Sequence, residues 1–520
     1  MAAGGGPQPD DQRETIAFLS RPSSYGAGVE QVEIVETHVS MVFLAGDRAY
    51  KLKRAVKLPY LDFSTVERRR EVCAAELALN RRTAPALYLN LRRLARGSAT
   101  GAVCFSNEGP AIDWVVVMRR FDQALLFDAL AQAGGLDHPL MDALADHIAQ
   151  FHHAAERRPD QGGTAALRDI ADTNHQVLAA VRGAGFARER IEAILDKWRA
   201  ALEIADALLE TRKAAGKVRR CHGDLHLRNI CLLDGKPTLF DCLEFSDALA
   251  SIDILYDLAF LLMDLEHRGL AHLANRVLNR YLDRTGEDDG LAAMPLFLSL
   301  RAGIRAHVTA TALARAANPD KKPEMAEEAR RYLDLAHRLL EPRPRRLLAI
   351  GGLSGSGKST LAAGLAPEIG LRPGARVLRS DVTRKLLLGA APETRLPAEA
   401  YTPDVTRRVY DALRRKAATA LGAGYSVIID AVSLTQGQRR SFADIARHAG
   451  APFSGLWLEA GADAMADRIR TRRGDASDAT PEILAQQLRH DPGPMDWTRI
   501  DAASGPEQCL AAARRALSLG

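Results

Sequence analysis

The sequence predicts an α+β domain followed by an α/β domain with a mainly parallel sheet. Short strand-like runs occur up to about residue 121, and helical periodicity dominates from about 124 to 215 and from about 251 to 340. The stretch "EPRPRR" at 341–346 then interrupts every pattern with two prolines. Beyond it, strands, a glycine loop and helices alternate, which is typical of a parallel sheet with helices on both faces.

These patterns divide the 520 residues, too many for one core, into four segments. Residues 1–29 are rich in Gly and Pro near their start and are predicted to be disordered. Residues 30–340 form the predicted first domain, 341–346 the linker and 347–520 the second domain. In the first domain, "EIVETHVSMVFLAGDRAYKLKRAV" predicts two strands joined by the turn "AGD".

Composition indicates a globular protein of the cytoplasm. Its 47% hydrophobic and 26% charged residues are ordinary for a water-soluble chain. No apolar run reaches the roughly 18 residues of a membrane span, and the N-terminus does not read as a signal peptide, so we expect no membrane partner. The net charge of +5 is small for this length, so we expect no nucleic-acid partner. The six cysteines form no C-x-x-C pair and are predicted to be small core residues.

Residues 221–245, "CHGDLHLRNICLLDGKPTLFDCLEF", place three oxygen-bearing side chains around a predicted hairpin. "NICLL" and "PTLFD" are strand-like runs on either side of Asp-Gly, a strong tight-turn signal. The hairpin brings Asn229 at its entrance near Asp241 at its exit, and Asp224 lies on the loop before it. An Asp and an Asn beside phosphates suit Mg²⁺, and a third carboxylate can accept a hydroxyl proton. This arrangement predicts phosphoryl transfer.

The stretches "HGDLHLRN" and "LFD" resemble the H-x-D-x-x-x-x-N and metal-Asp motifs of aminoglycoside phosphotransferases and related protein-kinase-like small-molecule kinases, including choline and fructosamine kinases. "DILYDLAFLL" is similar to a helix start of that family. The resemblance covers most of the first domain and implies a protein-kinase-like fold that uses ATP and Mg²⁺. It implies Asp224 as catalytic base and Asn229 and Asp241 as magnesium ligands. It also implies His222 as a brace of the loop and Asp257 as a support from a helix start.

A kinase of this type needs a cation on the ATP phosphates, positioned by a helix carboxylate. In "AYKLKRAV", Lys51 and Lys53 lie on one strand face because strand side chains alternate, so either can serve. Resemblance to the corresponding strand of the family favours Lys53. On the following helix, Glu76 is slightly preferred over Glu71 as the carboxylate partner of the lysine. The turn "LAGDR" lacks the G-x-G-x-x-G loop of protein kinases, as the turn of antibiotic kinases often does.

A metal hydrolase is the alternative interpretation of "HGDLH", because His222, Asp224 and His226 alternate as ligands on a strand can. Zinc sites of this kind generally use further histidines. The only other His pair, in "FHHAA", lies in an amphipathic helical pattern, so the hydrolase interpretation is disfavoured.

A second phosphate-handling motif, "GLSGSGKS", satisfies G-x-x-x-x-G-K-S between a predicted strand and a predicted helix. Backbone N–H groups of such a loop point at the phosphates, the lysine reaches the β/γ oxygens and the serine hydroxyl coordinates magnesium. Asp430 ends the buried strand "YSVIID" and is the predicted acid on the magnesium side. The predicted nucleotide-binding residues of the loop are Gly352, Leu353, Ser354, Gly355, Ser356, Gly357, Lys358, Ser359 and Thr360.

Further polar residues are placed where an acceptor and a closing segment are expected. Asp381 and Arg384 follow the second strand of the α/β domain, and ligands bind at the carboxyl ends of such strands. In "ADRIRTRRGDASDAT", Arg468, Arg472 and Arg473 lie on or after a helix and are predicted to clamp the transferring phosphoryl group as a lid.

The second domain resembles small P-loop kinases, such as gluconate, shikimate and adenylylsulfate kinases and zeta-toxin-like sugar-nucleotide kinases. The domain order is similar to that of bifunctional aminoglycoside phosphotransferase/ATP-binding proteins. We therefore predict two fused ATP- and Mg²⁺-dependent phosphotransferase domains with small-molecule hydroxyl acceptors. The alternative is a nucleotide-operated regulatory or binding protein in which one domain has no kinase turnover. The sequence predicts neither the acceptors nor the oligomeric state.

Overall fold

The computed structural model describes residues 10–37, 39–58, 61–98, 101–316, 318–472 and 475–519. The chain divides into two compact units. The first comprises Met1–Gly162 and Gly216–Asp257, and the second comprises Gly163–Ala215 and Leu258–Gly520.

Strands dominate up to Arg119, helices dominate from there to Leu339, and the two alternate beyond Leu347. The strands are β1 (Val32–Glu36), β2 (Ser40–Ala45), β3 (Arg48–Lys53), β4 (Lys57–Leu58), β5 (Leu61–Asp62), β6 (Tyr88–Arg96), β7 (Val103–Phe105), β8 (Ala111–Arg119), β9 (Val218–Arg220), β10 (Ile230–Leu233), β11 (Lys236–Leu239), β12 (Ser251–Asp253), β13 (Leu347–Gly352), β14 (Arg376–Arg379), β15 (Val427–Asp430), β16 (Phe453–Glu459) and β17 (Thr498–Asp501). The α-helices are α1 (Arg13–Leu19), α2 (Val66–Asn80), α3 (Phe127–Gln132), α4 (His138–Ala154), α5 (Gly163–Ala180), α6 (Arg188–Ala214), α7 (Asp247–Ala250), α8 (Ile254–His267), α9 (Ala271–Thr285), α10 (Met294–Arg315), α11 (Lys322–Leu339), α12 (Lys358–Leu365), α13 (Ser380–Leu387), α14 (Pro403–Gly422), α15 (Gln436–His448), α16 (Ala462–Thr471), α17 (Pro481–Leu488) and α18 (Pro506–Ala516).

An antiparallel six-stranded sheet in the order β1-β2-β3-β8-β6-β7 forms the centre of the first unit. Its two faces bury different cores, because strand side chains alternate. Leu52 and Val115 pack with Leu19 of α1 on one face, whereas Val116 packs with Cys73 of α2 on the other. Lys51 pairs in register with Val116, so β3 presents its lysines to α2.

The N-terminal part of the chain differs from its prediction. The predicted pair of strands corresponds to β2 and β3, and β1 precedes them as the edge strand of the sheet. The predicted disorder is wrong for residues 10–29, where α1 buries Leu19 and the Gln12 amide donates to Asp113 and to the Lys53 carbonyl. Residues 1–9 lie outside the described part of the chain.

The hairpin of the first unit has the predicted strands and turn. Strands β10 and β11 pair from Ile230↔Leu239 to Leu233↔Lys236. Asp234 and Gly235 have φ values of 49° and 74°, as the mirror-image turns of tight hairpins require. The Phe240 N–H donates to the Asn229 carbonyl at 2.9 Å, so the two ends of the hairpin are held together.

A parallel five-stranded sheet in the order β14-β15-β13-β16-β17 organises the second unit. Its central strand β13 leads through a glycine loop into α12, which packs on the sheet through Leu361 and Leu365. The prediction of a mainly parallel sheet is confirmed. In the described residues, no helix combines the length and hydropathy that would let it span a membrane.

Helix α9 covers the edge strand β14 of this sheet. The Asn279 Oδ1 accepts from the Val377 N–H at 2.7 Å, and its amide donates to the Ala375 carbonyl at 3.1 Å. The fully buried Arg376 guanidinium lies 2.7 Å from Asp283 and 2.6 Å from Asp288. The compact unit that contains the P-loop sheet thus also includes the helices from 258 to 339, and the domain boundary at 341–346 stays a prediction.

Candidate active sites

The first candidate site begins at two neighbouring lysines of β3. The Lys51 Nζ lies 2.8 Å from Glu76 Oε1 of α2 and 2.5 Å from Asp241 Oδ1. The Lys53 Nζ lies 2.6 Å from Glu76 Oε2 and 2.5 Å from Glu244 Oε1. Burial raises the pKa of the Glu76 carboxyl, but the two ammonium groups outweigh it and lower this pKa to about 2. Glu76 is therefore a charged bridge between both lysines.

The two lysines differ in their contacts and in their exposure. Lys51 contacts the predicted metal ligand Asp241, whose side chain is 41% exposed. The Lys53 side chain is 1% exposed and is held by two carboxylates. The lysine that contacts the predicted metal ligand is thus Lys51, whereas resemblance favoured Lys53. Which of the two meets ATP phosphates stays a prediction. The carboxylate that contacts both lysines is that of Glu76, whereas Glu71 is exposed.

Asp224, the predicted base, is held by the predicted metal ligand Asn229. The Asn229 amide nitrogen donates to Asp224 Oδ2 and to the Asp224 carbonyl, both at 2.9 Å. The Nε2 of His226 lies 3.4 Å from the same Oδ2. Since the amide nitrogen is used by Asp224, the amide oxygen of Asn229 is the atom that can serve a cation.

His222 and Asp257 brace the loop that carries Asp224. Asp257, in the first turn of α8, accepts from the N–H groups of His222 and Gly223 at 3.1 and 2.8 Å, and its Oδ2 lies 3.0 Å from His152 Nε2. Burial lowers the pKa of His222, which favours the neutral ring. Its Nδ1 then accepts from the Asp224 N–H, and its Nε2 donates to the Phe240 carbonyl at 2.9 Å. These contacts tie the loop to the hairpin exit.

The segment after β11 is held at successive residues. Asp241 has a φ of 58°, a backbone conformation that is uncommon for residues other than glycine. Its N–H donates to the Tyr88 hydroxyl at 3.2 Å, and the next N–H, of Cys242, donates to Asn80 Oδ1 at 2.9 Å. Sequence reasoning missed Tyr88, Asn80 and Glu244; a short acidic stretch, "DCLE", is the only local signal for the last.

The donor set around Asp241 suits a divalent cation. Two lysine ammonium groups and three carboxyl groups meet here. Carboxylate and amide oxygens are preferred by Mg²⁺. Asp241 and Asn229 are therefore the residues that would hold the ion.

The second candidate site is the loop between β13 and α12. Gly352 and Gly355 are required there, since a Cβ would lie 2.7 Å from the Leu458 carbonyl oxygen at the first and 2.5 Å from that of Met465 at the second. The Lys358 Nζ donates to the Leu353 carbonyl within the loop at 2.9 Å. Burial lowers the pKa of Lys358, although Asp430 and Asp381 oppose this shift.

Ser359 and Asp430 form the predicted magnesium side of this loop. The Ser359 hydroxyl donates to Asp430 Oδ2 at 2.6 Å, and Arg379 Nε lies 3.4 Å from the same oxygen. Arg379 also contacts Asp475 at 2.5 Å. A hydroxyl next to a carboxylate is a suitable donor set for Mg²⁺ beside phosphates. Sequence reasoning missed Arg379, which directly precedes α13.

A cavity of about 670 Å³ opens over the loop and contains most of the predicted acceptor and lid residues. Burial raises the pKa of the Asp381 carboxyl, which is the shift that a proton-accepting group near neutral pH requires. Arg384 lies over the Tyr401 ring and donates to the Ala400 carbonyl. The cavity lining includes Ser354, Gly355, Gly357, Lys358, Ser359, Thr360, Asp381, Arg384, Asp430, Arg468 and Arg472.

Two predicted lid arginines, Arg468 and Arg472, line this cavity and have protein partners. Arg468 donates to the carbonyls of Ala502 and Gly355 at 2.8 and 3.4 Å. Arg472 lies 3.6 Å from Asp475. Arg473 lies outside the described residues.

Family models match part of each unit, including the segment with Asp224, Asn229 and Asp241 and the P-loop. Residues 114–297 match the phosphotransferase enzyme family, and residues 347–492 match an AAA domain family. A sugar kinase structure from Janibacter sp. HTCC2649 is 26% identical and covers 34% of this chain and 96% of its own, with a TM-score of 0.27. The structure of a choline/ethanolamine kinase family protein from Mesorhizobium loti is 16% identical, and the match covers 62% of this chain and 98% of that protein, with a TM-score of 0.38.

The chain is thus a two-domain protein of the kinase class, with a phosphotransferase-family domain ahead of a P-loop kinase-like domain. An uncharacterized protein of Mycobacterium tuberculosis (strain ATCC 25618 / H37Rv) is 34% identical over 490 residues, which are 92% of this chain and 93% of that protein. The chain belongs to one family with this mycobacterial protein.

Proposed function

We propose that the chain is an ATP-dependent phosphotransferase with two nucleotide sites, and that its first unit transfers the γ-phosphate of ATP to a hydroxyl of a small polar molecule. The observation that carries this proposal is the position of Lys51 between Glu76 and Asp241. A lysine paired with a helix carboxylate and a metal-binding Asp is the arrangement with which kinases hold ATP phosphates.

In this reaction Asp224 orients the acceptor hydroxyl and takes its proton. The acceptor oxygen forms a bond to the γ-phosphorus, the bond from that phosphorus to the β–γ bridging oxygen breaks, and ADP leaves. Lys51 binds phosphate oxygens, and Asn229 fixes the carboxylate of Asp224 through its amide nitrogen. Mg²⁺, when held by Asp241 and Asn229, neutralises charge on the phosphates.

The second unit is proposed to bind ATP–Mg²⁺ through its P-loop and to phosphorylate a small molecule in the cavity above it. Lys358 would turn from the Leu353 carbonyl to the β/γ-phosphates, and Ser359 and Asp430 would hold the ion. Asp381, whose pKa is raised by burial, is the proposed acceptor-side base. The support for this role is its place on the cavity wall.

The test uses the full chain with Lys358→Ala, so that ATP consumption reports the first site. A panel of polyols, sugars and aminoglycosides is screened, and Asp224→Asn is then compared with Asp234→Asn, a control in the exposed hairpin turn. We expect Asp224→Asn to lower turnover by about 10²–10⁴-fold with little change in nucleotide affinity. Equal turnover in the two variants would contradict the role of Asp224. Nucleotide binding without turnover on any acceptor would favour the regulatory alternative.

A further inference from the structure

A second buried lysine–carboxylate pair lies behind the proposed ATP lysine. The Lys53 Nζ is 2.5 Å from Glu244 Oε1 and 2.6 Å from Glu76 Oε2, and it faces the Phe63 ring at 5.7 Å. The side chains of Lys53 and Glu244 are 1% and 8% exposed. A buried ion pair of this kind loses the hydration of both charges and often adds little to the stability of the fold. Its place next to the proposed ATP lysine therefore suggests a role other than stability.

Glu244 ends the short segment that carries Asp241. Along this segment the N–H groups of Asp241, Cys242 and Leu243 are each held by a different part of the first unit: the Tyr88 hydroxyl, the Asn80 side chain and the His222 carbonyl. The side chain of Glu244 adds a fourth anchor, to β3. A φ of 58° is uncommon for a residue with a Cβ, although Asp adopts it more readily than most, and the four anchors hold the segment in this conformation.

We propose that Lys53 and Glu244 are positioning residues that set the metal-binding geometry of Asp241. This inference rests on the proposed function of the first site. Glu76 contacts both lysines. Its carboxylate positions Lys51 for the phosphates, and Lys53 in turn holds Glu244 at the end of the segment that carries Asp241. Groups that orient a metal ligand typically change metal affinity about 10–100-fold when they are removed.

The experiment measures how nucleotide binding depends on Mg²⁺. The full chain with Lys358→Ala, which removes the second nucleotide site, is titrated with AMP-PNP by calorimetry at increasing Mg²⁺. In Lys53→Met we expect AMP-PNP affinity without Mg²⁺ to stay within about twofold of the parent, whereas the Mg²⁺ concentration for half-maximal enhancement rises about tenfold. Lys51→Met should instead lose AMP-PNP affinity at every Mg²⁺ concentration, because Lys51 meets the phosphates.

Glu244→Gln tests the pair with a milder change, since the amide oxygen can still accept from Lys53. We expect a shift in Mg²⁺ dependence in the same direction but smaller, because the charge is lost while the hydrogen bond is kept. The double variant should shift little beyond Lys53→Met, because residue 244 has no ammonium partner once Lys53 is replaced. Circular dichroism checks that each variant is folded.

Two results would overturn the inference: a Lys53→Met variant that loses metal-free affinity as Lys51→Met does, or unchanged Mg²⁺ dependence in both Lys53→Met and Glu244→Gln. The first would mean that Lys53 itself meets the nucleotide. A parent that binds no AMP-PNP at any Mg²⁺ concentration would overturn the proposed function of the first site, and with it this inference.

Discussion

Replacing Asp288 by Ala removes one of the two carboxylates that hold the buried Arg376 of β14. The guanidinium keeps Asp283 and the Asn279 side chain, and Lys416, 3.7 Å from Asp288, loses its contact. Removing one partner of a buried ion pair typically costs about 3–5 kcal/mol, because the remaining charge is left in a poorly solvated place. Since Asp283 still compensates Arg376, we expect a cost at the lower end, about 3 kcal/mol.

Hydrogen exchange of the full chain measures this cost where it arises. The Val377 N–H donates to Asn279, so its exchange reports opening of the contact between α9 and β14. A loss of about 3 kcal/mol corresponds to exchange faster by roughly a hundredfold or more. The matched control is Asp289→Ala: this neighbour is 65% exposed and lies 3.5 Å from Arg212, so its removal should cost about 0–1 kcal/mol. Equal exchange rates in the two variants would refute the reasoning.

Acid unfolding, nucleotide stoichiometry and a P-loop glycine provide three further predictions. Burial raises the pKa of Asp288, but the Arg376 and Lys416 side chains outweigh it and lower this pKa. The stabilisation from ionised Asp288 is therefore present above about pH 4, the ordinary Asp pKa, and is lost as pH falls through the lower pKa of the folded state. The stability of Asp288→Ala should lack this pH-dependent loss in acid unfolding. Calorimetry should give about two AMP-PNP per chain, with Lys358→Ala removing one site and Lys51→Met weakening the other, whereas one site in the parent would contradict this. Gly355→Ala should abolish nucleotide binding at the P-loop, because its Cβ would meet a carbonyl of α16; Gly437→Ala, which has open space, is the control and should bind normally.

The two motif regions were predictable from sequence because their geometry is local. The spacing of the P-loop, between a strand and a helix, sets the position of Lys358 and Ser359 within a few residues of one another. The Asp-Gly turn likewise fixes the hairpin that joins Asn229 to the exit at Asp241. Local rules of turn chemistry and periodicity were sufficient in both cases.

The roles of the lysines depend on residues far along the chain. Lys51 and Lys53 share a strand face, so the alternation that identifies both cannot distinguish them. Their difference comes from Asp241 and Glu244, which lie 190 and 191 residues away in sequence.

Helix α9 shows the same division between sequence and tertiary structure. Asn275, Asn279 and Asp283 recur at intervals of four, which the sequence shows as one polar face of a helix. Such a face is usually solvated, and only the tertiary structure places it on β14, where amide and carboxylate groups pair with an edge strand and a buried arginine. Short-range spacing in the sequence was sufficient to predict the two phosphate-handling motifs and the parallel sheet. Which lysine contacts Asp241 and which helices pack in the second unit could be read only from the folded chain, because burial and ion pairing join residues that no local pattern connects.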